Sequence, residues 1–209
     1  MKFAMVILLS LLALSCGCGK GGSDLKIVQV RGKVELIRNG EAQGLSAEEK
    51  LKPHDTLRTG DESAVVILLP GGAQAELQSN SELTLSELSL PDRSLTLHKG
   101  NNWLSIPSLP DGQSFQLVTP TSVASVRGTK FYSFQMGDIS GTCHCEGSID
   151  FLVRGTDYQQ RHDKDFMVVT RAGKTALITP TEIMAAVGVV QHHHAQAPGS
   201  PLGPADDLT

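Results

Sequence analysis

Hydrophobic and polar residues alternate in short runs through most of the chain, from Leu25 to Thr179. KIVQVR at 26–31 and KVELIR at 33–38 flank Gly32, and Asn39-Gly40 follows as a two-residue turn signal. Further runs of the same kind are SAVVILL at 63–69, 73–77, 82–85, 94–98, 101–106, 114–119 and 122–126. The series continues with 129–136, 139–145, 148–154, 158–162, 166–171 and 174–179. Gly, Pro, Asn and Asp punctuate them. Val34 and Leu36 against Glu35, and Leu95 and Leu97 against Thr96, show the period of two that gives a strand one core face and one wet face. The pattern predicts an all-β domain over 25–179. Roughly a dozen short strands form a solenoid- or sandwich-like body.

The two ends differ. Phe3–Leu14 is an unbroken apolar run behind Met1-Lys2, too short to span a bilayer and of the length of a signal-peptide core. Near the other end, Thr179-Pro180-Thr181-Glu182 has a capping threonine, a proline at the first helical position and a glutamate three residues after the cap. It predicts one short helix over 180–194, closing on His192-His193-His194. Residues 195–209 are rich in Pro, Gly and Ala with little to bury, and are expected to be disordered.

Composition narrows the function. The net charge is −4, which gives no basic face for nucleic acid. Glycine is abundant, at 21 residues, as suits a chain of strands and tight turns. The sequence contains no phosphate-cradling loop, no serine–histidine–aspartate set and no carboxylate pair suited to acid–base work, so a non-catalytic protein is expected.

Leu12-Ala13-Leu14-Ser15-Cys16 resembles a bacterial lipobox, with Cys18 as a second candidate. The resemblance implies cleavage after residue 15, lipid on Cys16 and a flexible tether over 16–24. Gly17, standing where an aspartate would hold such a protein in the inner membrane, implies the outer membrane, facing the periplasm or the cell surface.

Several segments then match one family in order. They are Gly32-Lys33-Val34, Leu57-Arg58-Thr59-Gly60, Leu68-Leu69-Pro70-Gly71-Gly72 and Leu95–Gly100. Val118-Thr119-Pro120, Val126-Arg127-Gly128-Thr129-Lys130-Phe131 and Glu146-Gly147-Ser148-Ile149 follow. The set resembles a FecR domain. Pro70 replaces the family's usual acid, and Pro53-His54-Asp55 stands for its proline-glycine-aspartate. Known members relay signals in the bacterial envelope and control a sigma factor through a cytoplasmic segment. No such segment is expected ahead of the apolar run here. The resemblance therefore implies a lipid-anchored binding, scaffolding or signalling module with an envelope protein or glycan as partner.

Within the motifs, Gly60, Gly100, Gly128 and Gly147 are expected where the backbone needs positive φ or close packing. Arg127 beside Gly128-Thr129 is read as a partly buried arginine capping strand carbonyls, or as an anion ligand. Trp103 is read as core.

Cys143-His144-Cys145 is the one hint of metal or redox chemistry. In a strand, both thiols share a face with His144 on the other. A thiolate pair suits zinc or cuprous copper, with His192, His193, His194 and His162 as further ligands. The same spacing places the two Cα atoms about 6.6 Å apart, near the limit for a disulfide, which an oxidising envelope favours. Metal clamp, strained disulfide and free thiols remain three open fates.

Overall fold

The structure is a computed structural model that describes residues 25–163, 167–171 and 174–179, with Glu182, Ser200 and Leu202. These residues fold as sixteen strands. The first seven are β1 (Lys26–Arg31), β2 (Val34–Arg38), β3 (Glu41–Gly44), β4 (Thr56–Thr59), β5 (Ala64–Leu68), β6 (Gln74–Leu77) and β7 (Glu82–Glu87). A long strand, β8 (Asp92–Ile106), follows. Then come β9 (Ser114–Val118), β10 (Ser122–Val126), β11 (Thr129–Met136), β12 (Ile139–Glu146) and β13 (Ser148–Val153). The last three are β14 (Gln159–Asp163), β15 (Met167–Arg171) and β16 (Lys174–Ile178).

β8 belongs to two sheets. Its first half pairs antiparallel with β7 and parallel with β9. Its second half pairs with β6 and β11. One sheet therefore runs β1-β5-β6-β8-β11-β12-β15-β16. The other runs β3-β2-β4-β7-β8-β9-β10-β13-β14. The changeover falls at Gly100, at φ 85, where a Cβ would run into Ser81. The Ser81 hydroxyl accepts the next amide, Asn101 N, at 2.8 Å and pins the bend. Because β8 leaves for the first sheet, the chain must return to lay β9 beside its origin. That return makes β8–β9 a parallel pair in an otherwise antiparallel fold.

The alternation read from the sequence sets which face turns inward. Leu36, Leu57, Leu83 and Leu97 of one sheet and Ile67, Ala75, Leu104 and Phe131 of the other belong to a single buried cluster. Each large apolar side chain so buried contributes roughly 1.5–3 kcal/mol. Toward β12 and β15 the inner face turns polar. Ser140 Oγ and Thr170 Oγ1 lie 2.8 Å apart, and Thr170 donates to Thr121 Oγ1 at 3.0 Å across the sheets.

Four details depart from the sequence reading. The runs at 94–98 and 101–106 are one strand, β8. β3 is fully exposed and shows no apolar alternation; the Asn39-Gly40 turn, with both residues at positive φ, folds it back onto β2. β4 falls in none of the alternating runs, but its pairing with β2 and β7 makes it a strand. Leu202, in the stretch expected to bury little, is buried against Trp103 with Tyr132. The helix expected over 180–194 lies outside the described residues except Glu182. Its capping contacts are present: Glu182 N donates to Thr179 Oγ1 at 3.2 Å, and Glu182 Oε2 accepts Thr179 N at 2.7 Å.

Candidate functional site: a charged cleft at the sheet crossings

The chain passes from one sheet to the other between β10 and β11, at Arg127-Gly128, and returns between β12 and β13, at Gly147. The two crossings press together. Gly147 has φ 78, and a Cβ there would lie 2.5 Å from the Gly128 carbonyl oxygen. Only glycine allows that approach. Thr129 Oγ1 donates to the Ser148 carbonyl at 3.0 Å and ties the corners.

Beside the corners, the outer face of β10, β13 and β14 forms a cleft of about 650 Å³. Strand register builds its floor: Ser125 stands opposite Asp150, Asp150 opposite Arg161, and Ser148 opposite Asp163. Arg127, Gly128, Thr129 and Gly147 complete the lining. Two guanidinium groups and two carboxylates thus share one cleft. No ion pair joins any two of them. Arg161 Nη2 instead donates to Ser148 Oγ at 2.6 Å. The cleft can therefore meet a ligand of either charge without first breaking an internal salt bridge.

The wall of the cleft is held from inside the sandwich. His162 turns inward between Arg161 and Asp163, and its Nε2 lies 2.9 Å from the Tyr158 hydroxyl. Their rings stack at 9°, with centroids 6.2 Å apart. His144, fully buried on β12, bonds through Nδ1 to the Asp163 carbonyl at 3.2 Å. A carbonyl only accepts, so Nδ1 carries the proton. Nε2 is buried without a hydrogen-bond partner. Burial pushes the His144 pKa down to about 4, and lowers His162 as well.

The residues singled out by sequence fall into three groups. Arg127, Gly128, Thr129 and Gly147 come together in the cleft. Arg127 is exposed, which corrects the reading of a partly buried carbonyl cap: the strand carbonyls at the corner face Thr129 and the backbone instead. Gly60 is also corrected. It does not have positive φ, and the nearest atoms to a Cβ there lie at an ordinary 3.5 Å. Trp103 is fully buried, but on the opposite face of β8 from Leu104, edge-on to Tyr132 at 5.6 Å.

The cysteine motif is placed only in part. Cys143 is buried, opposite Tyr132 on β11. Burial, with Cys143 close by, pushes the Tyr132 hydroxyl up to about 12. Cys16, the side chain of Cys145, and His192, His193 and His194 lie outside the described residues. Among the described residues no group of three His, Cys, Asp or Glu side chains gathers as a metal site.

Sequence reasoning missed Ser125, Ser148, Asp150, Arg161 and Asp163. Alternation marks Asp150 as outward-facing. Only the β13–β14 pairing brings Arg161 and Asp163 to it, and no local signal encodes that.

Residues 55–149 match the family model described as FecR protein, so this part of the chain is similar to a FecR domain. Two solved structures of a proposed anti-sigma factor from Parabacteroides distasonis ATCC 8503 share the fold, with TM-scores of 0.55 and 0.54 at 12% identity. Each alignment covers 67% of this chain and 66% of that one. A search of curated proteins finds no match. No helix among the described residues is long and apolar enough to cross a membrane.

Proposed function

We propose that this chain is a non-catalytic receiver module of the bacterial envelope, held to a membrane by lipid on Cys16. In this reading its FecR domain binds a protein partner at the cleft. The observation that carries the reading is the set Arg127, Asp150, Arg161 and Asp163, gathered around the family's own arginine-glycine-threonine corner and unpaired with one another. Their cross-strand spacing suits an extended peptide segment bearing both charges, for which electrostatic complementarity sets orientation and partner choice. The structural relative's description as an anti-sigma factor supports a role in signalling, and the lipobox-like segment supports the anchor. An outer-membrane position follows from the residue after Cys16.

The test is site-specific photo-crosslinking in intact cells, with the probe at Ser125 in the cleft and a control probe at the exposed Val28 on the far strand β1. A discrete adduct from Ser125, absent from Val28 and lost in the Arg127→Glu, Arg161→Glu double variant, is expected. Equal adducts from both positions, or an adduct indifferent to the charge reversal, would refute the cleft as the receiving site.

A further inference from the structure

Arg93 presents an electrostatic problem that the cleft does not solve. It sits at the start of β8, outside the cleft lining, and is 1% exposed. Its guanidinium lies over the Phe115 ring, 5.8 Å from the centroid. Nη1 donates to the Pro70 carbonyl oxygen. Nε is buried and has no hydrogen-bond partner. No carboxylate among the described residues pairs with it. Neighbouring Asp92 is committed elsewhere, accepting from Ser114 Oγ at 2.6 Å. Burial works against the charged form.

A guanidinium stays charged in proteins, and a buried charge is stable only when an opposite charge or a full set of hydrogen bonds compensates it. One carbonyl and one ring face fall short of that. The cover is thin: it is the Pro70-Gly71-Gly72 turn between β5 and β6. Gly71, at φ 83, carries no Cβ where one would strike Nη1. Pro70, whose carbonyl takes the one hydrogen bond, brings no charge of its own to offset the guanidinium.

We propose that Arg93 and this turn form an anion site, taking a compact carboxylate or an inorganic anion that the Pro70 turn admits by lifting. Free anions and a carboxylate side chain of a bound protein share that chemistry. The geometry matches either, because a guanidinium edge bonds carboxylate oxygens in parallel.

The experiment follows thermal unfolding and the Arg Nε–Hε NMR signals of the full chain. The probes are sodium acetate, sodium chloride and a capped glycine-glutamate-glycine peptide, each at matched ionic strength. A saturable rise in Tm of a few degrees, with a shift of one Arg Nε–Hε signal, is expected with at least one probe. A response to chloride alone assigns a free inorganic anion. A response to acetate and the peptide assigns a carboxylate, and stronger binding of the peptide points to a protein donor. Arg93→Gln removes the response. Pro70→Asp, which supplies an internal carboxylate, raises Tm and also removes it. No saturable response in the native chain overturns the proposal. So does an undiminished response in Pro70→Asp, a result that holds even if Arg93→Gln does not fold.

Discussion

His144 makes the fold acid-sensitive in a defined window. In the unfolded chain its imidazole takes a proton near pH 6.5, but in the fold only near pH 4. The folded state therefore binds fewer protons between those values. Above pH 6.5 the ring is neutral in both states and its contribution is complete. As pH falls below 6.5, the unfolded chain is favoured by protonation. The loss accumulates until the folded ring itself protonates near pH 4. At about 1.4 kcal/mol for each pH unit, the window is worth about 3 kcal/mol. That is a large share of the roughly 5–15 kcal/mol that holds a typical domain together. His162, also lowered by burial, adds in the same direction. The assay is urea unfolding of native chain and His144→Gln, followed by tryptophan fluorescence from neutrality down to about pH 4. Glutamine keeps an N–H for the Asp163 carbonyl and cannot titrate. The difference between the two curves should slope with pH between 6.5 and 4 and flatten outside that range. Parallel curves across the window would refute the assignment. An NMR titration should show the His144 ring neutral at pH 5.

Other outcomes follow from the same geometry. Gly147→Ala should cost about 3 kcal/mol, through positive φ and the clash with the Gly128 carbonyl, against about 1 kcal/mol for Gly40→Ala, whose Cβ meets nothing within 4 Å; denaturant midpoints compare the two. His54 sits at φ 70 where the family pattern has glycine, so His54→Gly should gain about 0.5–1 kcal/mol in the same assay. Asp55, buried at 1% exposure, accepts from Arg38 Nε and Nη2, each at 2.8 Å, and from Lys52 N at 2.7 Å. Asp55→Ala should lose about 2–3 kcal/mol by leaving those donors unpaired, measured by thermal unfolding. Cys16→Ala should move the protein from the membrane to the soluble fraction, as fractionation and blotting would show.

The strands were legible because alternation and turn chemistry are local. β1, β10 and β11 run over the same residues that the pattern marks. The corners were legible for the same reason, since Gly128 and Gly147 do a backbone task that few residues can do. The exposed β3 and the four-residue β4 were not, because neighbours rather than side chains make them strands. The site was half legible. Its corner residues announce themselves as a motif, while Arg161 and Asp163 look like any polar pair on a short strand.

Sequence alone determined the all-β class, the alternation that separates core from surface, and the glycines that permit tight corners. Each of these depends on residues close together along the chain, where steric and hydrophobic preferences act without the rest of the fold. Tertiary structure decided the division of β8 between two sheets, the burial of Arg93 and His144, and the gathering of four charges around one cleft. Those depend on pairing between distant strands, whose register is set by the packing of the whole core and leaves no local mark on the residues it brings together.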